Sequence, residues 1–319
     1  MFSDSFFASL CTSNGFMRNF IKSTTFLAIF ASWLWSTAFV GVKIGLEYHT
    51  PLQFAGVRFF ISGLLIFIFF GKPSQFWKQV KINRGFVITI SLVQIFVQYS
   101  FFYLGLNLVP GALGAMLIGS SPLFVAIVAH FVLQNDKMSF LKLVSLLIGV
   151  LGIAVITLGR NSVEIKGEYE WLGIIFLIMN NILSGLANVL IVKKSSGISP
   201  WVLSSSSLMM GGLLLFIVSV PIEGFTSTYL PLDYFLALGW LSFLSAAAFT
   251  IWFTIIKRPG VKVSELNMWK FLIPVSGAIL SWMILKDESP DWVSVVGMLI
   301  IATSLLVLNF SSRIKSKGN

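Results

Sequence analysis

Long apolar stretches constrain this chain most, because its charged residues avoid them and collect in the short connections between them. Of the 319 residues, 56% are hydrophobic and only 11% are charged. About ten stretches are long enough to cross a hydrocarbon layer of roughly 30 Å as a helix. The sequence therefore predicts an all-α integral membrane protein with ten transmembrane helices. The predicted spans are residues 24–46, 52–70, 85–106, 111–132, 139–158, 171–192, 200–220, 232–256, 264–285 and 291–310.

Basic and acidic residues sort to opposite sides of these spans. If the N-terminus is cytoplasmic, the cytoplasmic segments hold most of the 22 Lys and Arg residues, and the opposite segments hold most of the 12 acids. Because Lys/Arg-rich loops stay in the cytoplasm, we expect a multi-pass protein of the inner (plasma) membrane with both termini cytoplasmic. The net charge of +10 follows from this sorting. It fits the lipid bilayer, with its anionic headgroups, better than a nucleic-acid partner.

The N-terminus and the potential metal ligands carry little further signal. Residues 1–16 lack a basic region ahead of an apolar core, so no removable signal peptide is expected. MRNFIK, a short basic leader, begins at Met17, and we hypothesise that translation starts there instead of at Met1. Cys11 stands alone, and His49 and His130 have no Cys or carboxylate at ligand spacing. Neither a metal nor another cofactor is predicted.

Two segments of the chain share a plan. With Pro122 and Pro274 as anchors, SSPLFVAIVAHFVLQNDKMS aligns without gaps on LIPVSGAILSWMILKDESPD, which places Asp136 on Glu288. Each half would contain five spans, and an odd number places the halves in opposite orientations, as in many secondary transporters. The expected segments are a cytoplasmic tail (1–23), a first five-helix repeat (24–159), an outer linker (160–170), a second repeat (171–310) and a basic cytoplasmic tail (311–319).

The two anchoring prolines lie well inside their predicted spans. There a proline removes one backbone hydrogen bond and tends to bend the helix. Pro122 and Pro274 are therefore expected to form kinks, which either improve packing or serve as gating hinges.

Four segments resemble the drug/metabolite transporter superfamily and, within it, the EamA-like ten-helix group. WLWSTAFVGVKIGL (33–46) looks like the family's first span, and PLQFAGVRFFISGLL (51–65) has Arg58 at the family's arginine position. The segments 103–139 and 268–291 are similar to its two proline-containing regions, and Glu288 takes the place of the family's Gly-Glu acid. The resemblance implies two inverted EamA repeats and transport of small metabolites, often export of amino acids or related compounds.

Three cations fall within or just inside spans: Lys43, Arg58 and Lys270. A cation at the centre of a helix costs about 2.5–3.5 kcal/mol, so one that is kept there usually faces an interior cavity. Each also lies near enough to a span end for snorkelling to bring its charge close to the interface. Since no acid lies deep in any span, such a cavity favours a carboxylate on the substrate and offers no obvious proton relay.

Polar and aromatic side chains complete the predicted substrate pathway. Amides at helical spacing can orient a polar solute, and tryptophans can stack on an organic one. Hydrogen bonding between helices and ordinary packing are the alternative roles. The additional candidates are Trp35, Gln94, Gln98, Tyr99, Asn181, Asn188, Trp252 and Trp269.

These features predict a secondary transporter, acting as an exporter, of small organic metabolites such as amino acids or related carboxylated compounds. Alternating access between the two repeats would move the solute. A membrane-embedded enzyme would need a nucleophile, paired carboxylates or a His cluster at membrane depth, and none is visible. A channel would show charged rings or a filter loop, whereas the spans look continuous and the connections short. We therefore expect a small-molecule substrate and no enzyme activity, and the oligomeric state stays open.

Overall fold

The computed structural model describes residues 23–70, 72–134, 136–159, 169–194, 197–225 and 229–317. Every regular element in these ranges is helical, which confirms the all-α prediction. Seven helical segments are long and apolar enough to cross a membrane, and two further apolar helices are shorter. The proposed start at Met17 and most of the predicted outer linker lie outside the described residues.

The helices follow one another with short connections. The first half of the chain contains α1 (Thr24–Ser36), α2 (Ala38–Leu46), α3 (Pro51–Phe70), α4 (Pro73–Ile82), α5 (Arg84–Ile90), a π-helical segment (Ser91–Val97), α6 (Gln98–Leu108), α7 (Gly111–Gly119), α8 (Ser121–Val132) and α9 (Phe140–Gly159). The second half contains α10 (Glu170–Lys194), α11 (Pro200–Glu223), α12 (Leu232–Ile256), α13 (Val263–Asn267), a 3₁₀ segment (Met268–Phe271), α14 (Leu272–Ile284) and α15 (Trp292–Lys317).

Three predicted spans depart locally from a regular α-helix, although the first and fourth still run as single helical segments of 23 and 22 residues. The first span divides at Thr37 into α1 and α2, and the fourth divides at Ser120 into α7 and α8. The 3₁₀ segment interrupts the ninth span. Hydroxyl groups at two of the breaks bond back to the preceding turn: Thr37 Oγ1 donates to Leu34 O at 2.8 Å, and Ser120 Oγ to Leu117 O at 2.6 Å. Each hydroxyl thus adds a second donor to a carbonyl that already accepts the backbone N–H of the same residue, Thr37 or Ser120.

The anchoring prolines stand directly after two of these breaks, inside their predicted spans. Pro122 is the second residue of α8, and Pro274 is the third residue of α14. In the first turn of a helix the N–H that proline lacks would have no intrahelical partner, so proline is well tolerated there. Each proline therefore begins the second segment of a divided span. Gly119, at the end of α7, packs directly against the ring of Pro274 and has no room for a side chain.

Two helix pairs approach each other through reciprocal glycine contacts. In the pair α3 and α11, a Cβ atom added to Gly56 would lie 2.9 Å from Gly212 O, and one added to Gly212 would lie 2.9 Å from Gly56 O. In the pair α9 and α15, a Cβ atom added to Gly152 would lie 3.1 Å from Gly297 O, and one added to Gly297 would lie 3.0 Å from Gly152 O. Glycine at these positions lets the two backbones of each pair approach closely.

Candidate functional site

A central cavity lies where the divided spans meet the other long helices. Its volume is about 60 Å³, counted as space for the centres of water-sized spheres. All the residues predicted from the sequence for a substrate pathway line it, except Lys43 and Trp269. The full lining is Trp35, Ala38, Phe39, Arg58, Gln94, Gln98, Tyr99, Phe102, Ile118, Ser121, Asn180, Asn181, Ser184, Asn188, Phe249, Trp252, Lys270 and Ile273.

Lys270 projects from the 3₁₀ segment into an aromatic cage. Its Nζ atom lies 4.6 Å from the centroid of the Trp252 ring and 5.2 Å from that of Trp35. The side chain is 7% exposed, and no carboxylate of the described residues lies within ion-pair distance of it. Aromatic faces attract a cation, but they replace only part of the water that a buried ammonium group loses. The charge is therefore left ready for an anionic group in the cavity.

The aromatic cage is itself held in place by α10. Trp252 Nε1 donates a hydrogen bond of 2.7 Å to Asn188 Oδ1, and Asn188 Nδ2 donates one of 2.7 Å to Ser184 O. The Trp35 and Trp252 rings meet edge to face, with centroids 5.1 Å apart. Asn188 therefore has a structural partner on both sides and orients one wall of the cavity.

Arg58 brings a second cation to the cavity wall, with three of its five N–H donors already engaged. Nε and Nη2 donate to Ser245 Oγ at 3.0 and 2.8 Å, and Nη1 donates to Tyr103 OH at 2.7 Å. The guanidinium also lies 4.9 Å from the centroid of the Phe59 ring. At 1% exposure this charge is buried among neutral groups of the described residues. Both cations of the cavity thus make its interior electropositive.

Several polar atoms in the cavity wall have no hydrogen-bond partner among the described residues. Three are amide oxygens, which can only accept: Gln94 Oε1, Gln98 Oε1 and Asn180 Oδ1. The indole N–H of Trp35 and the hydroxyl of Ser121 are also unpartnered. Because buried polar groups are normally satisfied, these atoms indicate a place for a polar ligand or for water.

Asn181 has a different role, because it supports a helix break. Its Nδ2 donates to Leu117 O at 2.8 Å and approaches Ser120 Oγ at 3.3 Å, at the junction of α7 and α8. Its Oδ1 accepts from Asn180 Nδ2 at 3.2 Å. A chain of hydrogen bonds therefore runs from the cavity wall to the division of the fourth span.

Two predicted pathway residues lie away from the cavity. Lys43 Nζ donates to Leu106 O and Val109 O at 3.2 and 3.1 Å, and it lines a separate, open crevice of about 1070 Å³. Trp269 lies beside Lys270 in the chain but packs, partly buried, against the hydrophobic core. Sequence position gives the depth of a residue along a span and not the side of the helix on which it lies.

Sequence reasoning did not single out several residues of the wall. Phe102 and Phe249 are two of 31 phenylalanines, so nothing in the sequence distinguishes them. Ser121 did carry a signal, because a hydroxyl directly before a proline in an apolar span marks a helix start.

No group of three His, Cys, Asp or Glu side chains within the described ranges could hold a metal ion.

The EamA-like transporter family model matches two stretches of this chain, residues 22–158 and 171–310. A solved crystal structure is similar in fold, with a TM-score of 0.67 at 16% identity, covering 91% of this chain and 99% of the other.

Several relatives have names that describe transporters. The "Uncharacterized transporter YoaV" of Bacillus subtilis is 25% identical over 87% of this chain and 94% of its own length. The "Probable amino-acid metabolite efflux pump" of Escherichia coli is 23% identical over 90% of this chain and 95% of its own length. Together with the seven helices able to span a membrane, these matches identify a multi-pass membrane protein. The chain belongs to the EamA-like transporter family.

Proposed function

We propose that the chain is a secondary transporter that exports small organic metabolites carrying a carboxylate, such as amino acids or related compounds. The observation that carries the proposal is Lys270, a buried ammonium group in the central cavity with aromatic neighbours and no carboxylate partner among the described residues. A solute carboxylate would supply the missing counter-charge, and a charge-assisted hydrogen bond is about twice as strong as a neutral one.

The unpartnered amide oxygens supply the second half of the recognition. Gln94, Gln98 and Asn180 each present an acceptor without a donor, which suits an ammonium or N–H group of the solute. Aromatic side chains form much of the remaining wall and suit an organic framework better than an inorganic ion. A solute with an anionic group and a donor group would therefore satisfy both Lys270 and the unpartnered amide oxygens.

We further propose ten membrane spans arranged as two inverted five-helix halves, 24–159 and 171–310. The helix contacts support this arrangement, because exchanging the two halves converts each major contact into another that is present. α3 packs on α11 and α9 on α15, which are pairs of equivalent helices. The contact of α1 with α12 has its counterpart in that of α10 with α6. Both termini would lie in the cytoplasm, with the chain in the inner (plasma) membrane, as the sorting of basic residues predicts.

Counterflow into liposomes tests the function directly. Liposomes that contain the purified protein are preloaded with an unlabelled amino acid. They should accumulate the labelled amino acid transiently and saturably. Organic acids and amino acids should compete with this uptake better than sugars or nucleosides. Lys270→Ala should reduce exchange at least tenfold at low solute concentration, because the loss of a charge-assisted contact exceeds about 1.4 kcal/mol. Lys194→Ala, which removes an exposed cation at the end of α10, is the matched control. Full exchange by a folded K270A variant would contradict the proposal.

A further inference from the structure

A buried carboxylate closes one end of the two divided spans that flank the cavity. Asp136, just after α8, accepts the backbone N–H of Ser264 at 3.0 Å and its hydroxyl at 2.7 Å. Lys142 donates to the same carboxylate at 2.6 Å, and both side chains of this ion pair are buried. The contact joins the end of the fourth span to the beginning of the ninth, where α13 starts.

A second carboxylate closes the opposite end of the same two spans. Glu288, just after α14, accepts the backbone N–H of Gly111 at 2.5 Å and that of Ala112 at 2.8 Å. The contact joins the end of the ninth span to the beginning of the fourth, where α7 starts. It involves no ion pair among the described residues.

The internal repeat relates the two contacts through their carboxylates and one equivalent backbone N–H in each. The shift that carries Pro122 onto Pro274 also carries Asp136 onto Glu288 and Ala112 onto Ser264. Asp136 binds the N–H of Ser264, and Glu288 binds the N–H of Ala112, so each half supplies the carboxylate for the other half's backbone. The remaining bonds differ. Asp136 also accepts the Ser264 hydroxyl and pairs with Lys142, whose counterpart Ser294 carries no charge, whereas Glu288 also accepts the N–H of Gly111.

The central cavity lies between the two contacts. Ile118 and Ser121 line it from the fourth span, and Lys270 and Ile273 line it from the ninth. With both carboxylates in place, the two divided spans are tied together above and below the cavity. Separation at either end would widen the route to the cavity on that side.

We infer that Asp136 and Glu288 are the gating residues of the transport cycle, each releasing the other half's backbone when the cavity opens on its own side. This inference rests on the proposed transport function. Because the two contacts hold the same pair of spans, separation at one end is compatible with closure at the other. The divided helices allow this, since α7 and α14 can tilt apart without α8 and α13 following them.

Thiol labelling from each side of the membrane tests the gates without any solute. The background carries Cys11→Ser, which removes the chain's single cysteine, and Ser121→Cys places one reporter in the cavity wall. Full-length protein in sealed vesicles of either orientation is treated with a membrane-impermeant maleimide. We expect Glu288→Gln to raise the labelling rate about tenfold from one side, and Asp136→Asn to raise it about tenfold from the other.

A matched control separates gating from general loosening. Glu223 also binds backbone N–H groups, those of Leu52 and Gln53, but it lies in the pair α3 and α11, away from the divided spans. Glu223→Gln should leave both labelling rates unchanged. Ser264→Ala, which keeps the Asp136 ion pair and removes only one hydroxyl donor, should raise the rate on the Asp136 side by a smaller factor. Ser264→Ala therefore replaces Asp136→Asn as the test variant for this gate if D136N does not fold.

The inference is overturned if the E288Q and D136N variants raise labelling from the same side, if E288Q changes neither rate, or if E223Q matches E288Q. The result is independent of the substrate. If the two variants raise labelling from opposite sides but no counterflow occurs, the proposed solutes are refuted and the gating assignment stands. If counterflow is normal but neither variant changes the labelling rate, the gating assignment is refuted and the proposed transport function stands.

Discussion

Asn188 holds the ring of Trp252 against Lys270, since the indole N–H donates to Asn188 Oδ1 at 2.7 Å and the same ring lies 4.6 Å from the lysine Nζ. Lys270 is the one cation of the cavity wall whose side chain has no hydrogen bond to a protein group in the described part of the chain. Its position is instead set by aromatic neighbours, one of which Asn188 holds in place. Asn188 thus lines the cavity and also orients a ring of its wall.

Asn188→Ala should therefore raise the KM for exchange several-fold while leaving the protein folded. The indole N–H would lose its partner and the ring its fixed orientation, at a cost of about 1–3 kcal/mol. Trp252→Phe removes the donor and keeps an aromatic face, so adding N188A to W252F should cost little more in KM. Fully additive effects in this double-mutant cycle would show that the hydrogen bond does not couple the two residues.

Arg58 should contribute more to folding than to solute contact. Ser245→Ala would leave two guanidinium donors without their acceptor, and we expect a loss of about 1–3 kcal/mol, seen as a lower melting temperature in detergent. Arg58→Lys should destabilise similarly, because an ammonium group cannot reproduce the planar fork. Ser242→Ala, which removes a weaker 3.4 Å contact from the same helix, is the control and should have a smaller effect.

The glycine contact between α3 and α11 should be intolerant of even one methyl group. A Cβ atom at Gly212 would lie 2.5 Å from Phe60 N and 2.9 Å from Gly56 O, both backbone atoms that cannot move aside independently. Gly212→Ala should lower the yield of monodisperse protein and its melting temperature. Gly239→Ala on α12 meets no atom within 4 Å and should behave like the wild type. Equal behaviour of the two variants would contradict close packing at Gly212.

His49, between α2 and α3, should make stability depend on pH. Burial lowers the pKa of the imidazole below 6.5, partly opposed by a hydrogen bond at Thr50 and by the Glu223 carboxylate. The unfolded chain therefore binds a proton more readily than the folded one, and the contribution of His49, present above pH 6.5, is lost as the pH falls through the folded-state pKa. Melting temperatures between pH 7.5 and pH 5 should drop more for the wild type than for His49→Gln. Parallel curves would contradict this assignment.

The polar side chains of the cavity were predictable because they conflict with their surroundings. Gln94, Gln98 and Lys270 are costly in an apolar span unless they face an interior space, and the structure brings them to one. Lys43 met the same criterion and lies elsewhere, because its ammonium group finds two backbone carbonyls near the end of its span. The cost of burial identifies candidates, but hydrogen bonds available in three dimensions decide where they point.

The helix breaks were not predictable in the same way. A proline in a long apolar run indicates a bend, and sequence alone does not tell a kink in one helix from the start of a second. The division at Ser120 depends on its own hydroxyl and on Asn181, which comes from α10, far along the chain. Tertiary contacts of this kind override the local pattern.

The central cavity is small relative to the proposed solutes. About 60 Å³ of space for sphere centres admits roughly four to six water molecules, less than an amino acid with a large side chain requires. Occupancy by such a solute therefore demands dilation, and the apparent affinity falls by the fraction of molecules that are already dilated. A lower apparent affinity of this origin goes with faster dissociation of the solute. Because a transporter must release its solute in every cycle, fast dissociation favours a high turnover rate over tight binding.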